Sequence, residues 1–158
     1  FVVDMDKLRE KTRKLCWEQM VVLQKVLDYC RDLTMAKNSG RRSTVKPPLL
    51  IVHGGAGTGK SMLINNLSLW VQKLLTVSGD DPNSPYLVRC APTGMAASNI
   101  EGQTLHTTFR FRFGNEYQSL SDKTRDQLRD HFKYVKVVVV DEMSMMKSSQ
   151  LYHLHLRL

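Results

Sequence analysis

Hydrophobic positions recur along this chain with two different periods, and the changes of period divide it into elements. Cys16, Met20, Leu23, Leu27 and Cys30 recur at helical spacing, which predicts an amphipathic helix. The pattern lapses over residues 36–46, a polar and basic stretch containing Asn38-Ser39-Gly40-Arg41-Arg42 and ending at Lys46, which reads as a loop or linker. Pro47-Pro48 then opens Leu49-Leu50-Ile51-Val52, a short apolar run of the kind found in buried parallel strands. Beyond a glycine-rich loop, Leu63, Ile64, Leu67, Trp70, Val71, Leu74 and Leu75 form a second helical stripe.

Residues 78–85 are rich in turn formers and predict a surface loop, residues 86–90 a second strand, and residues 95–100 a short helix. Leu128 and Phe132 mark the apolar face of a further helix, otherwise charged, and the four consecutive valines from Val137 predict a third buried strand. Leu151, Leu154 and Leu158 sit at helical spacing at the end of the chain. Alternation of strand and helix implies an α/β domain built on a parallel sheet flanked by helices. The expected division is residues 1–46, a helix with a basic linker, and residues 47–158, the α/β part. The first residue is Phe, no signal-peptide pattern precedes the first helix, and no cap closes the last. Both ends therefore read as cut from something longer.

Composition narrows the partners. Of 158 residues, 42% are hydrophobic and 24% charged, the balance of a globular protein. Lys and Arg number 23 against 15 Asp and Glu, a net charge of +8 that favours polyanions such as nucleic acid or nucleotides. No apolar run approaches the roughly 20 residues of a membrane span, so no membrane partner is expected. Cys16, Cys30 and Cys90 are widely separated and read as thiols of a reduced compartment rather than a disulfide frame or a zinc site.

The chemistry is carried by Gly54-Gly55-Ala56-Gly57-Thr58-Gly59-Lys60-Ser61, which matches GxxxxGK(S/T) at every required position between an apolar run and a periodic helix. Glycines let the backbone curl so that successive N–H groups face one phosphate chain, and the following helix offers its N-terminus to the same anion. In such a loop Lys60 bridges the β- and γ-phosphates and the Ser61 hydroxyl ligates Mg²⁺. Asp141 and Glu142 follow the valine run, where an α/β sheet places its ligands. Asp141 is expected to hold Mg²⁺ through water and Glu142 to orient the attacking water, an arrangement suited to ATP hydrolysis.

Further segments resemble one family. Ala91-Pro92-Thr93-Gly94-Met95-Ala96-Ala97 and Gly102-Gln103-Thr104-Leu105-His106-Thr107-Thr108-Phe109 resemble the DNA-contacting motifs of PIF-family helicases, superfamily-one enzymes related to RecD with RecA-like motor domains. Asp141-Glu142-Met143-Ser144-Met145 is similar to that family's Walker B motif, and Leu15-Cys16-Trp17-Glu18-Gln19 to its Q-type motif, though Trp17 replaces a smaller polar residue. The segment from Leu151 to the end is similar to Helitron-type transposon members.

The resemblance implies that Gln19 reads adenine and that Pro92, Thr93, Gly94, His106 and Phe109 contact single-stranded DNA. It also implies 5′-to-3′ unwinding, a nuclear place of action and work in DNA repair, recombination or telomere maintenance. It implies a longer parent whose remaining half carries the second RecA-like domain and its arginine finger, so that this chain alone binds ATP and hydrolyses it poorly. From the residues alone, Thr93 equally suits a helix cap, and His106 and Phe109 equally suit a packed core. Residues 109–113, alternating Phe and Arg, suit a nucleic-acid surface or an amphipathic edge strand. Two readings stay open beside the helicase: an ATP-binding transposon remnant that does no work, and a small-molecule P-loop kinase.

Overall fold

The computed structural model describes residues 4–39, 45–77, 84–111 and 117–158. Packing divides the chain into two compact units, Phe1–Tyr86 and Leu87–Leu158, well beyond the linker boundary expected at residue 46. Arg41, Arg42, the turn-rich stretch at 78–83 and the end of the Phe/Arg alternation at 112–113 lie outside the described residues.

The first unit is helical. α1 (Met5–Arg13) starts on Asp4, whose carboxylate accepts from the Asp6 and Lys7 N–H groups at 3.1 Å. α2 (Trp17–Asn38) buries Leu23, Leu27 and Cys30 of the predicted stripe together with Val26, while Met20 is only half-buried, and it packs against α3 (Lys60–Leu75), which contributes Leu63, Ile64, Leu67 and Val71. Cys16 belongs to no helix: it is the exposed N-cap of α2. One polar group enters this core. Asn66, 1% exposed, donates to the Met62 carbonyl at 2.9 Å and lies 3.2 Å from the Thr12 hydroxyl, which accepts from the Trp70 indole at 2.9 Å. A buried amide satisfied in this way fixes the register of α1 on α3.

The apolar run at 49–52 departs from expectation. It forms no strand; Leu49 is 96% and Ile51 81% exposed. A strand exists only when a neighbour takes its N–H and C=O groups, and among the described residues the first unit contains no other extended element to do so.

The second unit holds the sheet. β1 (Leu87–Ala91), β2 (Gln103–Thr104) and β3 (Val137–Val140) are all parallel in the order β2-β1-β3, with Leu87 opposite Val137 and Cys90 opposite Gln103 and Val140. α4 (Gly94–Asn99) and α5 (Leu105–Phe109) pack on β1 and β2. α6 (Asp122–Phe132) is capped by the Ser121 hydroxyl, and α7 (Ser148–Arg157) follows β3. Cys90, Leu105, Phe109, Phe111 and Leu154 form the core, with Phe132, Val138, Val140 and Met146 against it. Gly102 permits the tight return from α4 to β2, since a Cβ there would lie 2.5 Å from the Arg89 carbonyl. The α/β class and parallel sheet are therefore as expected, with β1 and α4 within one residue of their predicted bounds.

Candidate nucleotide site

The glycine-rich loop joins the exposed run at 49–52 to the first turn of α3. Gly57 and Gly59 sit at φ +75° and +78°, a left-handed conformation that side chains resist. Gly59 is the N-cap of α3, so the backbone turns through it directly into the helix. Gly54 has its own constraint, because a Cβ there would meet the Thr58 Oγ1 at 2.7 Å. The loop is held from within. Thr58 Oγ1 donates to the Gly55 carbonyl at 2.9 Å, and Lys60 Nζ donates to the Gly54 and Gly55 carbonyls at 2.8 Å each. The Lys60 ammonium thus lies over the loop, beside the end of α3 where an anion gains most from the helix dipole. Ser61 follows it, exposed, in the first turn.

Gln19 also reaches this loop. Its Oε1 accepts from the Cys16 N–H at 3.0 Å, closing the first turn of α2, and its Nε2 donates to the Thr58 carbonyl at 2.9 Å. The spacing of Cys16 and Gln19 is that of a capping box with Cys in place of Ser, a signal present in the sequence. The contact with Thr58, 39 residues on, is not.

In the second unit the acidic pair stands at the C-terminal end of β3. The Asp141 N–H donates to the Cys90 carbonyl at 2.9 Å, extending the β1–β3 ladder by one residue, and Asp141 Oδ1 accepts from the Glu142 N–H at 2.9 Å. Glu142 is exposed and left-handed, at φ 51° and ψ 43°, because the chain turns there from β3 into the 3-10 turn Met143–Met145. Nothing in the sequence marks it: Glu is no habitual occupant of that region.

The DNA-motif residues divide. Pro92 and Thr93 are half-buried and Gly94 exposed at the C-terminal end of β1. Thr93 caps α4, its hydroxyl accepting from the Ala96 N–H at 3.3 Å. His106 is half-buried, its ring edge-on to Phe111 at 6.0 Å. Phe109 corrects the expectation drawn from the resemblance. It is 1% exposed, stacked on Phe111 at 5.8 Å and tilted against Phe132 at 5.3 Å, so it presents no ring to a base. The described part of the alternating segment, residues 109–111, is not extended, because Phe109 ends α5 and Arg110 turns the chain at φ 54°.

A family model described as an AAA domain matches residues 37–158, from the end of α2 through the loop and the acidic pair to the last residue. The chain belongs to that family. Among curated proteins it is 37% identical over 95 residues to the ATP-dependent DNA helicase PIF1 of Emericella nidulans, which covers 58% of this chain and 12% of that protein. It is 33% identical over 101 residues to the ATP-dependent DNA helicase RRM3 of Saccharomyces cerevisiae, covering 62% and 13%. To the ATP-dependent DNA helicase PIF5 of Trypanosoma brucei it is 30% identical over 123 residues, covering 76% and 12%. The chain is thus similar to a segment of these helicases and spans about an eighth of their length. No solved structure matches it. None of its described helices is long and apolar enough to cross a membrane.

Proposed function

We propose that the chain is the nucleotide-handling part of an ATP-dependent DNA helicase, binding ATP and coupling its hydrolysis to movement along single-stranded DNA. The observation that carries this reading is the loop itself: left-handed Gly57 and Gly59, Lys60 folded over the loop, and α3 beginning at that lysine. Its chemistry is anion capture, in which backbone N–H groups, the α3 N-terminus and the Lys60 ammonium take the phosphate chain. Ser61 in the first unit and Asp141 in the second each offer a hard oxygen of the kind Mg²⁺ prefers beside substrate phosphates and water. When bound, that ion neutralises charge on the phosphates. Glu142 presents an exposed carboxylate suited to accepting a proton from water.

Pro92, Thr93, Gly94 and His106 are the residues for single-stranded DNA, through backbone and hydroxyl contacts to phosphate rather than through base stacking. Such binding is sequence-tolerant and weakens by roughly 0.7 in log K per phosphate for each tenfold rise in salt. The nuclear setting and the work of the longer parent belong to the same proposal.

The deciding experiment is thermal melting with and without Mg-ATP. A ligand binding the native state alone stabilises it by about 2.7 kcal/mol at a hundredfold excess over Kd. The wild type should show that rise and Lys60→Ala should lose it; equal rises in both would refute the site.

A further inference from the structure

The Q-type resemblance assigns Gln19 to the adenine edge, yet the hydrogen bonds it makes are to backbone. We infer that Gln19 is a positioning residue of the phosphate loop, setting the loop's affinity for a triphosphate whatever base the nucleotide carries. The inference rests on the nucleotide-binding reading above and deepens it by naming the substrate class: nucleoside triphosphates, with the polyphosphate recognised ahead of the base.

Four observations carry it. The carboxamide orientation is fixed, because the Cys16 N–H can meet only the oxygen and the Thr58 carbonyl only the nitrogen. The bond to Thr58 governs a whole peptide plane. The Thr58 carbonyl and the Gly59 N–H belong to one planar trans unit and point in opposite directions. Holding the carbonyl on Gln19 therefore aims the Gly59 N–H away from α2, and it does so between two left-handed glycines that would otherwise rotate freely.

The contact is also close-packed: a Cβ on Gly59 would fall 2.7 Å from Gln19 Nε2, so the carboxamide lies directly against the loop backbone. Finally, the support is rigid. α2 is anchored to α3 by Leu23, Val26, Leu27 and Cys30, and α3 begins at Lys60, so the bond connects the loop to the helix pair that already carries its far end.

Two substitutions separate this role from base reading. Gln19→Ala removes the bonds to both Cys16 and Thr58. Gln19→Glu keeps an acceptor for the Cys16 N–H but sets a carboxylate against the Thr58 carbonyl; because it also adds negative charge beside a polyanion site, it serves the ligand-free measurement only. Affinities of the 158-residue chain for Mg-ATP, Mg-GTP and inorganic tripolyphosphate, measured by calorimetry, should fall in Gln19→Ala by one factor common to the three ligands, about fivefold for one ordinary hydrogen bond. A loss confined to ATP in Gln19→Ala, or no loss with any of the three, overturns the inference.

Hydrogen exchange at the amides of residues 58–60 in the ligand-free protein gives an independent reading. It should quicken in both variants, and unchanged exchange overturns the inference too. If the wild type bound none of the three ligands, the nucleotide proposal would fail by itself, while the exchange result would still decide whether Gln19 holds the loop.

Discussion

Glu142 combines a candidate catalytic carboxylate with a backbone conformation that L-residues avoid. At φ 51° it carries the cost of the left-handed region, about 1–2 kcal/mol for a residue with a Cβ. Glu142→Val should therefore destabilise the chain by at least another 1 kcal/mol or so, since β-branched side chains tolerate that region worst. Glu142→Gly should melt at or slightly above the wild-type temperature, and Glu142→Gln should match the wild type while removing the negative charge. Identical melting of the Val and Gly variants would show that the left-handed turn does not persist in solution.

The cysteines separate by the same residue-level logic. Burial pushes the Cys30 thiol up from 9.0 to about 11 and the Cys90 thiol to about 12, while Cys16 is exposed. A thiol held neutral in the folded state stabilises it fully below pH 9. That contribution is lost as pH rises, because the unfolded chain ionises first and releases its proton while the folded chain keeps it. Stability should thus fall from about pH 9 towards pH 12. Alkylation of the native protein at pH 8 should label Cys16 alone, as peptide mapping would reveal, with the other two reacting only in denaturant.

Among the elements, the helices and the glycine loop were the most legible features. The α2 and α3 stripes predicted most of their buried faces, and the loop spacing predicted a curled glycine backbone at the mouth of α3, which Gly57 and Gly59 supply in left-handed conformation. The run at 49–52 was not legible, because an apolar tetrapeptide states only that it can be a strand, and pairing is decided by a neighbour. The role of Phe109 was equally undetermined. An aromatic in a motif has the same appearance whether it meets a base or a core, and only the rings of Phe111 and Phe132 decide between them. That decision has a measurable form. Phe109→Ala should cost about 3–5 kcal/mol, as for other buried phenylalanines, whereas the half-buried His106 should cost far less on truncation. Denaturant titration of both variants checks this. A Phe109→Ala chain as stable as wild type, with weakened DNA binding, would restore the ring to the nucleic-acid surface. The bond between Gln19 and Thr58 was illegible for a different reason, since it joins residues that only the packing of α2 on α3 brings together.

At the scale of the whole molecule, the surface combines a +8 charge with several large apolar residues left open, including Leu49, Ile51, Met95 and Tyr152. The run at 49–52 also keeps unpaired backbone groups, the combination that promotes association between chains. The double substitution Leu49→Lys with Ile51→Lys should leave the unfolding free energy within about 0.5 kcal/mol of the wild type per site, as for other exposed sites. It should also lower the concentration-dependent sedimentation of the protein, and undiminished association would place the adhesive surface elsewhere. A different consequence follows from the lysine that lies over the phosphate loop. Because Lys60 already holds the Gly54 and Gly55 carbonyls, an arriving phosphate does not simply fill a hole but displaces a sitting cation from two acceptors. Capture is then a two-step exchange whose second step is unimolecular, so the observed rate of nucleotide binding in rapid mixing should level off as ligand rises instead of climbing linearly. In Lys60→Ala any residual binding should lose that ceiling, which makes the lysine the timekeeper of the loop as well as its charge.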